Sequence, residues 1–209
     1  MVEATILFLF WFKNLSIMKM ILTSSLFLLG ISFAFAQAPM APSIMSLSSP
    51  AFPDGGIIPV KFSQAAQGAA PGEGTSPALN WKDVPAGTRS FVLHMHDLDF
   101  SRNRTTDDQV HWLVWNIPGD SKGFPEGLPR GAKLPDGSYQ ISVTGLVYRG
   151  PGAASVGPLH HYMFELFALD TVIDVKPAAD AFESRKLVMA AMEGHILGRA
   201  AYGGRFRRP

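Results

Sequence analysis

The fold of this chain is decided by residues 91–118, which read FVLHMHDLDFSRNRTTDDQVHWLVWNIP. The two ends of the stretch, 91–97 and 111–117, are apolar and rich in aromatic and β-branched residues, which is typical of buried strands. The run between them is rich in Asp, Asn, Arg and Thr, and it predicts a loop because no core would accept it. Asp97 and His111 stand at the loop ends of the two strands, so a carboxylate and an imidazole reach one rim, where a rigid scaffold can hold a site.

The rest of the chain adds more strands to these two. Runs of apolar, β-branched and aromatic residues, separated by Gly- and Pro-rich segments, predict strands at 57–62, 139–148, 163–169 and 199–208, with a first strand starting within 44–47. Residues 64–74 and 119–137 are predicted to be loops, because Gly, Pro or Ala dominates them. Since strands prevail and no β-α-β alternation occurs, we predict a mainly β, antiparallel fold.

One helix is predicted, over residues 177–193. Its apolar residues recur at helical spacing. Either Asp174 or Asp180 can cap its N-terminus, and Gly194 can end or bend it.

The N-terminus has the pattern of an export signal. Residues 18–36, MKMILTSSLFLLGISFAFA, contain a lysine, an apolar core and a final Ala-Phe-Ala in the order of a signal peptide. We predict cleavage between Ala36 and Gln37, and a true start at Met18 or Met20. The alternative is an uncleaved membrane anchor, which is disfavoured because the apolar run is shorter than the about 20 residues that a span prefers.

This signal predicts three parts and an export route. The parts are a signal segment at 1–36, a flexible leader at 37–42 and one folded domain at 43–209. Export places the protein in the periplasm or outside the cell.

The charge and the cysteine content exclude several classes of function. Without its first 36 residues the chain has 16 basic and 16 acidic residues, so it has no net positive charge that would attract nucleic acid. The chain has no cysteine, which excludes disulfides, thiolate catalysis and cysteine-bound zinc.

A second stretch, residues 150–170, reads GPGAASVGPLHHYMFELFALD and supplies further site candidates. It consists of a Gly-Pro loop, a His-His-Tyr triplet and an apolar strand. Because side chains alternate along a strand, His160 and Tyr162 share a face and His161 points away.

The same alternation sorts the side chains of the strand at 91–97. Asp97 lies on the face opposite His94 and His96. The side chains that can converge at one rim are therefore Asp97, His111, His160 and Tyr162.

Several motifs together make the chain resemble the phosphatidylethanolamine-binding protein (PEBP) family, most closely its bacterial Raf kinase inhibitor-like branch. They are D-x-D at 97–99, HWLVWNIP at 111–118, the Gly-Pro loop at 150–151 and HHYMFELFALD at 160–170. The flanking stretches SPALNWKDVPAGTRSF at 76–91 and AMEGHILGRAAYGGRFRR at 191–208 agree. The resemblance extends from about Ser43 to Arg208 in family order, which is more specific than any single motif.

The resemblance implies both a fold and a site. The fold is a PEBP-like antiparallel β-sandwich with a large central sheet and a few peripheral helices. The site is a small anion pocket formed by Asp97, His111, Gly150, Pro151, His160 and Tyr162.

Four positions depart from the family motifs at this site. Leu98 replaces a proline, and Phe100 adds a bulky ring. His161 replaces an arginine, and Gly152 stands where a second proline is common.

These residue types suit a phosphate monoester. Phosphate offers only acceptors, whereas His N–H, Tyr O–H and loop N–H groups are donors. Asp97 cannot bind phosphate directly. We expect it to orient an imidazole and raise its pKa, or to accept a hydrogen bond from an ammonium head group.

The remaining candidates have structural explanations. Asp99 is predicted to brace a turn, and His195 to pack or cap near the helix end. The sandwich core is expected to contain Trp112 and Trp115. A metal could be chelated by His94 and His96, but the sequence places no third ligand on their face, so we expect no metal and no cofactor.

The sequence thus predicts an exported, non-enzymatic protein that binds a phosphate-bearing small ligand or lipid head group. Modulation of a kinase or protease rests on family analogy. The alternative is a hydrolase that uses Asp97 and His111 as acid and base, or a metal held by histidines, although no nucleophile motif is visible. The sequence also allows a homodimer, and transient contact with a membrane surface through Arg205, Arg207 and Arg208. It does not identify a protein partner.

Overall fold

The computed structural model describes residues 44–209. The predicted signal segment at 1–36 and leader at 37–42 lie outside the described residues and stay predictions. The described elements are β1 (Ser46–Ser48), β2 (Gly56–Ile57), β3 (Leu79–Lys82), β4 (Ser90–Asp97), β5 (Gln109–Pro118), β6 (Gly123–Phe124), β7 (Tyr139–Ile141), β8 (His160–Leu169), α1 (Ala181–Met192) and β9 (Ile196–Phe206), with short 3-10 helices at Val60–Phe62 and Arg102–Arg104.

A six-stranded sheet with the order β2-β9-β8-β4-β5-β7 forms the centre of the fold. Strand β4 pairs antiparallel with β5 on one side and with β8 on the other, and all eight of its residues are buried. Such a strand must be apolar on both faces, which explains the nearly continuous hydrophobic run that begins at Phe91. The only parallel pair in residues 44–209 is β2 with β9, so the sheet is mixed at its edge.

A second sheet covers one face of the central sheet. It has three antiparallel strands in the order β1-β3-β6. Between the two sheets lies a core rich in aromatic residues, which includes Trp81, Phe91, Trp112, Phe124 and Phe164. This packing confirms the predicted β-sandwich with a large central sheet, because two apolar sheet faces bury each other.

The opposite face of the central sheet packs against α1. This second core contains Val92, Leu113 and Trp115 from the sheet, and Val188 and Met192 from the helix. One amphipathic helix is enough to cover this face. No helix within residues 44–209 combines the length and the hydropathy that crossing a membrane requires.

Two predicted strands are shorter than expected. The strand predicted at 57–62 ends after Ile57 and gives way to a 3-10 helix, because Pro59 has no N–H to donate to a ladder. The strand predicted at 139–148 ends at Ile141, because Ser142 and Gly145 close a tight turn through two backbone hydrogen bonds. Gly145 adopts a φ of 122° there, which favours glycine.

Two bulges in β5 change which face its side chains occupy. Met95 pairs with Trp112 and His96 with Val110, so His111 is an extra residue in the strand. Regular alternation would put His111 on the helix face with Leu113. Because of the bulge, Val110 packs on the helix face and His111 instead lies on the sandwich face.

The second bulge is at Asn116, which has a φ of 58°. Its side-chain amide donates to Ile173 O at 2.9 Å and accepts from Ile173 N at 3.1 Å. These two bonds hold the segment before α1 against the sheet, and Asn tolerates the left-handed backbone better than most residues.

The helix cap left open by the sequence is Asp180. Its carboxylate accepts from Phe182 N at 2.8 Å and from Glu183 N at 2.9 Å.

We expect Asp180→Ala to lower the free energy of unfolding by about 1 kcal/mol, because two N–H groups lose their acceptor. Chemical denaturation measures this loss. Asp174→Ala, which removes a carboxylate that is 99% exposed, is the control and should change stability by less than about 0.5 kcal/mol. Equal losses in both variants would contradict the assignment.

Candidate functional site

A small cavity lies where the loop end of β4 meets its two neighbours. Asp97 is paired across the sheet with Tyr162 on β8 and with Gln109 on β5, so these side chains start from adjacent positions. The cavity has a volume of about 280 Å3. Its lining consists of Gln64, Asp97, Phe100, Gln109, His111, Arg149, Gly152, Ala153, Ala154, His160 and Tyr162.

Asp97 and His160 form a hydrogen-bonded pair inside this cavity. The Nδ1 of His160 lies 2.9 and 3.1 Å from the two carboxylate oxygens of Asp97. A carboxylate only accepts, so Nδ1 carries a proton and donates it to Asp97. The Asp99 N–H donates a further bond to Asp97 at 3.0 Å. The imidazole of His160 is thereby held in one orientation, as expected from the sequence.

Tyr162 is fixed by the loop that covers the cavity. Its hydroxyl oxygen accepts from Gly152 N and Ala153 N, both at 3.2 Å. Burial and then the nearby charge of Asp97 raise the pKa of Tyr162, so the hydroxyl keeps its proton and can donate it within the cavity. The two loop N–H groups are occupied by Tyr162 and do not serve as separate donors to a ligand.

His111 is buried and neutral. Burial lowers the pKa of His111 to about 3, although hydrogen bonds to the backbone of Arg149 and Gly150 partly offset this effect. Its Nδ1 lies 3.1 Å from the Arg149 carbonyl, which can only accept, so the single proton is on Nδ1. The ring meets Tyr162 edge-on, with 5.0 Å between centroids. In this state Nε2 is an acceptor, so His111 presents an acceptor to the cavity where the sequence led us to expect a donor.

Arg149 is a site residue that sequence reasoning missed. Its guanidinium is half-buried in the cavity wall and donates to Thr144 Oγ1 at 2.8 Å. It forms no salt bridge with any carboxylate in residues 44–209, and its Nε is buried without a hydrogen-bond partner. Burial lowers the pKa of Arg149 and the charge of Arg208 adds to this effect, whereas Tyr162 and Asp97 partly oppose it. Its position directly before the Gly-Pro loop was the available signal.

Gly150 and Pro151 lie behind the cavity wall and are not among its lining residues. The Gln64 side-chain amide donates to the Gly150 carbonyl at 2.8 Å, and the Gln64 N–H donates to the Pro151 carbonyl at 2.9 Å. These two residues position the loop, and Gly152 and Ala153 line the cavity instead. A Cβ atom at Gly152 would lie 2.3 Å from Gln64 Nε2, so any larger residue there would displace the Gln64 side chain.

The other departures from the family motifs affect the rim. Phe100 lines the cavity while remaining half-exposed, and Leu98 is exposed. His161 points away from the cavity and contacts Asp99, whose carboxylate accepts from its backbone N–H at 2.6 Å and lies 3.0 Å from its Nδ1. Asp99 therefore braces the loop, as predicted.

The remaining histidines are outside this cavity. His195 pairs with Asp170 at 2.8 Å on the surface beyond α1. The helix face of the central sheet carries His94 and His96, as strand parity predicted, where they meet Asp108 and Glu165. Burial opposes protonation of His96, but the close carboxylates of Asp108 and Glu165 outweigh it and raise the pKa of His96 to about 9.

Known proteins match this chain in sequence. The family model of phosphatidylethanolamine-binding protein matches residues 48–207. A UPF0098 protein of Methanothermobacter thermautotrophicus is 42% identical over 167 residues, which cover 78% of this chain and 99% of the relative. A UPF0098 protein of Aquifex aeolicus is 33% identical over 168 residues, which cover 79% of this chain and 90% of the relative.

Solved structures match the fold. Escherichia coli YbcL, described as a new member of the mammalian PEBP family, is 26% identical with a TM-score of 0.65, and the match covers 79% of this chain and 99% of YbcL. A putative PEBP homologue from Chlamydia trachomatis is 27% identical with a TM-score of 0.63, and the match covers 80% of this chain and 99% of that protein.

The state of His111 predicts how stability depends on pH. Its pKa in the folded protein, about 3, is below its ordinary value of 6.5, so between these values the unfolded chain binds a proton that the folded protein does not. Keeping His111 neutral therefore contributes fully to the free energy of unfolding above pH 6.5. This contribution is lost as the pH falls toward 3, by at most about 1.4 kcal/mol per pH unit.

We therefore expect the free energy of unfolding of His111→Gln to decrease less than that of the wild type as the pH falls from 6.5 toward 3. Denaturation at a series of pH values measures this difference. His161→Gln controls for the loss of one histidine at the surface. A variant slope equal to that of the wild type would show that His111 is not held neutral.

Proposed function

The chain belongs to the phosphatidylethanolamine-binding protein family, and from this premise we propose that it is a binding protein for small phosphate-bearing anions. The observation that carries the proposal is Arg149, a half-buried guanidinium in the cavity wall that forms no salt bridge with any carboxylate in residues 44–209 and is attracted by Asp97 only from beyond salt-bridge distance. Placing such a cation away from water costs free energy unless an anion joins it. A phosphate group would supply that charge and accept its N–H donors.

The other cavity groups complete a mixed donor and acceptor set. The Tyr162 hydroxyl is a donor, and the Gln109 amide lines the same cavity. His111 can accept through Nε2, and so can Asp97 through its carboxylate. This set favours a phosphate monoester that retains one O–H, or a zwitterionic head group whose ammonium lies beside Asp97.

The size of the cavity limits the ligand to a head group. Its volume of about 280 Å3 is at the lower end of ligand pockets, which hold about 300–1,000 Å3. Phosphate or phosphorylethanolamine is of the right class. The acyl chains of a lipid would remain outside, against the half-exposed Phe100 and the exposed Leu98.

A hydrolase that uses Asp97 and His111 as its acid and base is less well supported. Asp97 bonds to His160, whereas His111 bonds to the Arg149 carbonyl and stays neutral. These two groups therefore do not form the hydrogen-bonded pair that acid–base catalysis through them would use. We propose binding without turnover, and we extend the proposal to modulation of a kinase or protease only by family analogy.

Titration calorimetry of the protein from Gln37 onward, with inorganic phosphate and O-phosphorylethanolamine as separate ligands, tests the proposal. We expect saturable binding that Arg149→Gln weakens by about tenfold to a hundredfold, since a hydrogen bond to a charged group contributes about 1.5–3 kcal/mol. His160→Ala should also weaken binding, because it removes the partner of Asp97 in the cavity.

Arg207→Gln is the matched control. Its guanidinium bonds to Gly157 O and does not line the cavity, so binding should be unchanged. Failure of both anions to bind at millimolar concentration would overturn the proposal, as would equal affinity of the Arg149→Gln variant. Catalytic release of phosphate from O-phosphorylethanolamine, lost in His111→Ala, would favour the hydrolase instead.

Export is the second part of the proposal and rests on residues 18–36. Expression of the full chain in a Gram-negative host, followed by fractionation and intact-mass measurement, should yield a periplasmic or secreted product that begins at Gln37. A product that retains the N-terminal segment in the cytoplasmic or membrane fraction would contradict export with cleavage.

A further inference from the structure

Two histidines and two carboxylates meet on the helix face of the central sheet, on the side opposite the anion cavity. This histidine–carboxylate cluster consists of His94, His96, Asp108 and Glu165. The two imidazoles come from alternate positions of β4 and stack with 4.4 Å between centroids and 15° between planes. Glu165 lies across the ladder on β8, and Asp108 precedes β5.

Within residues 44–209, neither ring nitrogen of His94 has a hydrogen-bond partner. The residue is only 3% exposed, and both Nδ1 and Nε2 are buried. The nearest carboxylate oxygen, Glu165 Oε2, is 3.9 Å from Nδ1, beyond hydrogen-bond distance. Buried polar atoms are normally satisfied, so two unpartnered nitrogens on one side chain indicate a missing ligand.

His96 is incompletely satisfied in the same place. Its Nδ1 makes a short contact with Asp108 Oδ2. Its Nε2 is 3.3 Å from Glu165 Oε2 but is not aligned for a hydrogen bond, and it is buried without a partner. Three unsatisfied imidazole nitrogens therefore lie within one cluster.

The donor atoms are close enough to share one ion. One ligand atom from each of His94, His96 and Asp108 lies within 4.8 Å of the others. A tetrahedral ion with bonds of about 2.0–2.2 Å needs its ligands about 3.5 Å apart, so modest side-chain rotation would close the site. Such rotation is available to Asp108, which is on a loop and only half-buried.

We propose that His94, His96 and Asp108 form a binding site for a divalent transition-metal ion, with Zn2+ as the preferred ion. Imidazole nitrogen and carboxylate oxygen are typical zinc ligands. Ca2+ and Mg2+ prefer sets made only of oxygens, so two imidazoles disfavour them. Binding would replace the proton between His96 and Asp108 with the ion.

The surrounding charges support a cation. Three carboxylates, those of Asp107, Asp108 and Glu165, face the guanidiniums of Arg185 and Arg199. The group has one more carboxylate than guanidinium, and the proton between His96 and Asp108 offsets this excess until a divalent ion displaces it. Arg185 also bonds to Asp108, and such outer contacts orient a ligand carboxylate.

The ion has a path to this site and a structural consequence there. Asp108 and Arg185 also line an open groove of about 780 Å3, which gives solvent access. Coordination by Asp108 would fasten the segment 98–108 to β4. Since Asp97 and Gln109 at the two ends of this segment line the anion cavity, the ion would also fix one wall of that cavity.

The test uses chelator-treated protein from Gln37 onward, with Zn2+ as the calorimetric probe and Co2+ as the spectroscopic probe. We expect one equivalent of Zn2+ to bind and to raise the melting temperature, because an ion that binds only the folded state stabilises it. Co2+ should give the intense visible bands of a low-symmetry site with nitrogen and oxygen ligands.

Two variants locate the site. His94→Gln and Asp108→Asn should each weaken Zn2+ binding by at least about tenfold, the scale on which losing even an outer partner of a ligand weakens metal sites. His195→Gln, which removes a surface histidine paired with Asp170, is the control and should bind like the wild type.

The proposal would be overturned by wild-type protein that gives Co2+ only the spectrum of the aquo ion. It would also be overturned if wild type and Asp108→Asn bound Zn2+ equally well. Circular dichroism checks the fold of each variant, and if His94→Gln does not fold, Asp108→Asn on the loop and the wild-type Co2+ spectrum still decide the question.

Discussion

Everything in this structure depends on the pairing of β4 with strands on both sides. All eight of its residues are buried, and hydrogen bonds to β5 and β8 fix its register in both directions. A slip of one residue would exchange its two faces, which the sandwich core and the helix core both prevent. The strand therefore holds Asp97 toward the sandwich face and His96 toward the helix face.

The two faces treat their polar groups differently. In the cavity beside Asp97, His160 bonds to the Asp97 carboxylate and Tyr162 accepts from the covering loop, whereas the Arg149 guanidinium forms no salt bridge with a carboxylate in residues 44–209. On the helix face, neutralising carboxylates are present, whereas the imidazole nitrogens of His94 are unpartnered. We propose an anion as the ligand of the first site and a cation as the ligand of the second, and the segment 98–108 connects the two.

Strand alternation was sufficient to predict which face the site residues on regular strands occupy. Asp97, His160 and Tyr162 reach one face because β4 and β8 pair without a bulge between them over these residues. His111 lies beside them because of a bulge, which strand alternation does not predict. The extra residue in β5 turns its ring to the sandwich face, and the burial that follows makes it neutral.

The sequence by itself determined the mainly β class, the apolar strands, the helix that precedes β9 and the family, because hydrophobic periodicity and ordered motifs are local properties of the chain. Only the tertiary structure decided which loops close over the strands. Arg149 enters the cavity through a Gly-Pro loop held by Gln64, and Asp108 reaches His96 from the segment before β5. The sequence shows no periodic pattern for contacts between segments that are distant in sequence or joined through a loop. Only the folded chain therefore brings these charged groups together.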